Sequence, residues 1–137
     1  MAFNGSWKLV TNEGVAAFSQ SIGIAAEKLA ENKEFGNPDA NVVETLSVDG
    51  SNVSIKVTIG GNVFRESNLP VGKEAEGTGV DGRTAKHLIT VNGSTMTRVQ
   101  KGDGYEATYT RTVSGDSMTL VMEGPGGVKA TRTYSRQ

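Results

Sequence analysis

Turn dipeptides recur along most of this chain at a step of ten to eleven residues: Asp49-Gly50, Gly60-Gly61, Pro70 to Gly72, Asp81-Gly82, Asn92-Gly93, Asp103-Gly104, Ser114-Gly115 and Gly124 to Gly127. Asp-Gly, Asn-Gly and Gly-Gly supply the positive backbone angles of tight hairpins. The intervals hold β-favouring runs such as NVSIKVTI, AKHLITV, EATYTRTV and SMTLVM. Each step has room for one strand and one turn, which predicts an antiparallel up-and-down meander. No self-similarity accompanies the spacing, so it marks equal strand lengths and not a solenoid or propeller repeat.

Upstream the pattern changes. GSWKLVTNE reads as a first strand in which Trp7 and Leu9 share a face. GVAAFSQSIG then places Val15, Phe18 and Ile22 at helical spacing and stops at Gly23, and AAEKLAENK continues with helix formers toward Gly36 and Pro38. The predicted fold is all-β, a single domain over residues 1–137: ten antiparallel strands with a two-helix lid inserted after the first. Such a sheet must hide its edges, and closure into a barrel does so. A ten-stranded barrel is too wide to be filled by its own side chains, since about eight strands already leave room for one small ligand. Trp7 is expected to plug the barrel's base.

Composition removes several function classes. Fourteen basic and fifteen acidic residues give a formal charge of −1, with no overall field that would favour nucleic acid. With no cysteine and one histidine, His87, disulfides, thiolate chemistry and the usual zinc ligand sets are not available, and no cofactor is expected. The first twenty residues lack a basic start followed by an apolar run, and nothing downstream reaches membrane-spanning length, so a cytoplasmic protein is expected.

Side-chain parity locates a candidate site. In VKATRTYSRQ, Val128, Ala130, Arg132 and Tyr134 share one face, and in YEATYTRTV so do Tyr105, Ala107, Tyr109, Arg111 and Val113. Arginine in a strand is ordinarily solvated or paired across the sheet, and a bulge shifts parity by one. Set on apolar faces of neighbouring hairpins, however, Arg111 and Arg132 would repel each other and lose hydration unless an anion met them. An arginine pair with a tyrosine hydroxyl suits a carboxylate, and Met118, Leu120, Met122 and Val128 suit an alkyl chain. A fatty acid or similar amphipathic acid fits that combination.

The chain resembles the intracellular lipid-binding proteins, the group of the fatty-acid-binding and cellular retinoid-binding proteins. The resemblance runs end to end, through FNGSWKLV, SIGI, VGKEAEG, DGRTAKHLITVNG, RVQKGDG and the closing TRTYSR. It implies a flattened ten-stranded barrel, gated by the helices, around a largely water-filled cavity. It also implies that Arg132, Tyr134 and Arg111 hold the ligand carboxylate, with Arg98 and Gln100 as polar lining beside Tyr109, Phe18, Met118, Leu120 and Met122. The chain departs from the family pattern at Val15-Ala16, where the first helix usually starts with an aromatic and an acid. It departs again at Gly60-Gly61, in place of a portal aromatic, and at Gly102, in place of a tryptophan.

Other classes have weaker support. The Gly-Ser-Trp opening also suits an extracellular lipocalin, against which stand the missing cysteines, the missing signal segment and the short chain. His87 lies where either parity can face inward, and no serine, cysteine or acid motif accompanies it as a general base would need. GNPDA and GPGGV lack the Lys-Ser/Thr ending of a phosphate loop. Lys28 and Lys33 on the lid could touch anionic headgroups, yet Glu27 and Glu31 beside them fit helix pairing. The expected function is therefore a monomeric, non-enzymatic carrier of long-chain fatty acids or similar hydrophobic carboxylates, making transient membrane contact through its helices. A retinoid carrier of the same fold is the alternative.

Overall fold

The computed structural model describes residues 2–31, 33–78 and 83–137. The Asp81-Gly82 turn expected from the sequence lies outside them. The chain runs β1 (Gly5–Glu13), α1 (Val15–Ser21), α2 (Ala26–Glu31), two 3-10 turns (Lys33–Gly36 and Pro38–Ala40), then β2 (Val42–Val48), β3 (Asn52–Ile59), β4 (Asn62–Pro70) and β5 (Ala75–Thr78). It continues through β6 (Thr84–Asn92), β7 (Thr95–Gly102), β8 (Tyr105–Ser114), β9 (Ser117–Glu123), a 3-10 turn at Pro125–Gly127 and β10 (Lys129–Arg136). The ten strands form one sheet in the order β4-β3-β2-β1-β10-β9-β8-β7-β6-β5. First and last strands pair antiparallel, Trp7 opposite Arg136, which bends the meander round on itself.

The barrel is nearly closed. Among the described residues no strand ladder joins β4 to β5, and Arg65 Nη2 donates to the Thr78 carbonyl at 3.4 Å between them. β4 ends in Pro70, which has no N–H to donate.

Two bulges set which side chains enter the interior. In β1 the register against β10 slips between Leu9 and Thr11, leaving Val10 half exposed and turning Asn12 inward opposite Arg132. Between β3 and β4 it slips between Val57 and Thr58, after which Ser67 and Leu69 lie on the inner parity with Arg65. The base is closed by Phe3 and Trp7, both fully buried, the indole N–H donating to the Phe3 carbonyl at 3.0 Å under the Arg136 guanidinium. At the other end α1 lies against β10 and buries Phe18, with Ile22 buried just beyond it. Gly23, at a φ of +82°, ends this helical segment, and Arg83 Nη2 holds the Ile22 carbonyl at 2.8 Å.

Candidate ligand-binding site

Beneath the helices lies a cavity of about 320 Å³. Of the residues expected there, Phe18, Arg98, Gln100, Tyr109, Arg111, Leu120, Met122 and Arg132 line it. Met118 does not; it is fully buried in the core opposite Tyr134. Tyr134 is also buried away from the lining and reaches the site through its hydroxyl.

Arg111 and Arg132 face inward, and the anion they require is supplied by the chain itself. Glu44, 1% exposed on β2, accepts from Arg111 Nη2 at 3.2 Å and from the Tyr134 hydroxyl at 2.8 Å. Arg132 Nε donates to that same hydroxyl at 2.8 Å, and its Nη1 donates to Asn12 Oδ1 at 3.3 Å. The Phe35 ring covers the Arg132 guanidinium at 4.1 Å. Burial pushes the Glu44 carboxyl up, but Arg111, then Arg132, then the Tyr134 hydroxyl pull harder, so it sits below the usual carboxylate range and stays ionised. Burial and the neighbouring Glu44 both push the Tyr134 phenol up, which keeps it a proton donor.

The wall formed by β6, β7 and β8 is different. Arg98 is 7% exposed, stacks on the Tyr109 ring at 4.1 Å, and its Nε has no hydrogen-bond partner among the described residues. Burial pulls Arg98 down to about 10, still far above neutrality. His87 is inward and buried; burial and then Arg98 lower it to about 4, against a hydrogen bond with the Gly77 backbone, so it is neutral at pH 7. Around the rim, Arg83 lies over Tyr105 at 5.1 Å, and Gln100 Nε2 donates to the Tyr105 hydroxyl at 2.8 Å. Gly102 makes this possible, because the Tyr105 ring occupies the space that any Cβ there would need. The turn at Gly60-Gly61 has no aromatic, yet Phe64 just beyond it stacks on Phe35 with centroids 5.3 Å apart.

Sequence reasoning missed Glu44, Asn12 and Phe35. Glu44 was accessible to the same parity test, since Val42, Glu44, Leu46 and Val48 share one face of β2 and all are buried. Asn12 was not, because the bulge at Val10 reverses the alternation. Among the described residues no group of three or more metal-ligating side chains comes together, and no helix is long and apolar enough to cross a membrane.

No family model matches the sequence. The chain is 30% identical over 106 residues to the adipocyte fatty acid-binding protein of Pygoscelis papua, covering 76% of this chain and 74% of that one. It is 28% identical over 102 residues to liver fatty acid binding protein 1-A of Danio rerio, covering 74% and 76%. Among solved structures, the Schistosoma mansoni fatty acid binding protein in complex with arachidonic acid matches 99% of this chain and 96% of its own, with a TM-score of 0.83 at 23% identity.

Proposed function

From the premise that this chain belongs to the intracellular lipid-binding proteins, the family of the fatty acid-binding proteins, we propose that it is a cytoplasmic, monomeric, single-domain carrier of long-chain fatty acids. The observation that carries this reading is the charge of the cavity wall. Among the described residues Lys28, Lys33, Arg65, Arg83, Arg98, Arg111 and Arg132 line it, and no Asp or Glu does. A wall so biased selects an anion, while Phe18, Leu120 and Met122 offer apolar surface to an acyl chain. Relatives named for fatty acid binding, one of them solved with arachidonic acid, support the acyl class.

The division of labour follows from magnitudes. Burial of the chain contributes about 0.8 kcal/mol per methylene, and the guanidinium groups select acid over alcohol by charge-assisted hydrogen bonds. Binding and release are noncovalent, and no reaction is assigned: His87, the one histidine, is held neutral, and its Nδ1 has no hydrogen-bond partner among the described residues. Delivery by contact of the helices with membranes belongs to the same reading. Titration with oleate and with oleyl alcohol tests it. The acid is expected to bind tighter by on the order of tenfold or more, and native mass spectrometry of the purified protein is expected to show intact acid. Equal affinity for both compounds, or binding of neither, overturns the reading.

A further inference from the structure

The two anion-seeking walls of the cavity differ in how many donors they have left. At the Arg132 end fewer remain, and a carboxylate is already seated among them. Arg132 spends Nε on Tyr134 and Nη1 on Asn12, one face of its guanidinium lies against Phe35, and only Nη2 lacks a partner. Tyr134 gives its proton to Glu44, and Arg111 gives Nη2 to Glu44. A ligand carboxylate entering there would meet an ionised carboxylate already in place, and two such groups cannot share one site without repulsion.

At the Arg98 end the balance reverses. Arg98 Nε and Arg111 Nε are buried without hydrogen-bond partners among the described residues. A small void of about 20 Å³, enough for roughly one water-sized polar group, lies beside the main cavity and is bounded by Arg65, Ser67, Arg98, Arg111, Ile55 and Val57. The charged groups acting on Arg98 include Arg111 and Arg65, which repel it, while the attraction of Glu44 is the least of them. His87 beside it is neutral and contributes no competing charge. Two buried arginines with unpartnered Nε atoms on the wall of one void, with no Asp or Glu among the described residues lining it, make an unfilled anion site.

We infer that the acid group of the ligand is held by Arg98 together with the free Nε of Arg111, and that Glu44 is a built-in carboxylate filling the place between Arg111, Arg132 and Tyr134. Glu44 thereby sets specificity, moving the acid head away from the Arg132-Tyr134 pair. This rests on the acyl-carrier reading above and names where its head group sits.

The test uses the full chain labelled with nitrogen-15 arginine, with oleate as the acid probe and oleyl alcohol as the uncharged one. The Nε–H resonances of Arg98, Arg111 and Arg132 are assigned with Arg→Lys variants. Oleate is expected to shift Arg98 and Arg111 and to leave Arg132, tied to Tyr134, nearly in place. Arg98→Met is expected to weaken oleate by on the order of 10- to 100-fold, a loss at least about ten times that for oleyl alcohol. Glu44→Gln is expected to tighten oleate by removing the repelling charge. An Arg132 shift as large as that of Arg98, or an Arg98→Met protein that binds oleate as tightly as the unaltered one, overturns the inference and leaves the carrier reading standing. An unaltered chain that binds neither probe overturns the carrier reading itself. If Arg98→Met does not fold, the resonances of the unaltered protein decide.

Discussion

Arg132 and Arg98 are both buried, at 0% and 7% exposure, on the same inner surface, yet only one of them is at rest. Arg132 belongs to a connected set in which the Tyr134 hydroxyl and Asn12 accept from it, Glu44 stands behind that hydroxyl as a counter-charge, and the ring of Phe35 covers it, its Nη2 alone lacking a partner. Arg98 has an aromatic face beneath it and, among the described residues, no hydrogen-bond partner for its Nε. The cost of burying a guanidinium is offset inside the fold in the first region and is left for a ligand to offset in the second. A buried arginine is therefore not by itself a sign of a binding site. What decides is whether a carboxylate from a distant strand has already reached it; here Glu44 lies 67 residues before Arg111 and 90 before Tyr134.

The sharpest way to break this comparison is to remove the charge in each region and weigh the empty protein. Glu44→Leu strands Arg111 and Arg132 without a counter-charge and is expected to destabilise by about 3–5 kcal/mol. Arg98→Leu removes a buried charge that has no ion pair among the described residues, and its stacking on Tyr109, about 0.5–2 kcal/mol, opposes the gain from relieved burial. The net change is expected within about 1 kcal/mol of zero. Urea unfolding of ligand-free protein measures both, and similar losses for the two variants would remove the distinction between the regions.

Most of the barrel could be read from the chain because its determinants are local. Turn dipeptides bound nearly every strand, and alternation alone turned Tyr109, Arg111, Arg132 and Tyr134 inward. What escaped depends on pairing or on register. Asn12 faces Arg132 only because an extra residue at Val10 flips the strand, and Phe35 covers Arg132 from a short turn whose position is fixed by tertiary contact with Phe64. Glu44 sat on an apolar parity all along; seeing it on β2 does not reveal that its partners come from β8 and β10.

Acid separates the two regions by pH. His87 binds its proton at about 4 in the folded protein against an ordinary 6.5, so the unfolded chain takes up protons first as pH falls. Stability contributed by the neutral ring is full above about 6.5 and drains away between there and about 4, by on the order of 1–3 kcal/mol. Glu44, held below its ordinary 4.5, begins to lose its contribution only under that value and completes the loss at still lower pH. The slope of unfolding free energy between pH 6.5 and 4.5 therefore reports on the Arg98 wall, and His87→Phe is expected to flatten it. An unchanged slope in that variant would assign the acid sensitivity to other groups.

The smallest expected effect concerns a phenol at the rim. Tyr105 accepts from Gln100 Nε2 at 2.8 Å at a part-buried position bordering the cavity. Tyr105→Phe removes that acceptor while keeping the ring over Gly102 and beneath Arg83, and the Gln100 amide can turn to solvent in the cavity, so the cost is expected near 0.5–1 kcal/mol. The phenol of Tyr134 has no such exchange, since it stands fully enclosed between Arg132 Nε and Glu44 Oε2, two buried atoms that would each lose their hydrogen bond. Denaturation of the Tyr105→Phe and Tyr134→Phe proteins side by side measures this difference, and equal costs would mean that the enclosed network tolerates loss of its central hydroxyl as easily as the open rim does.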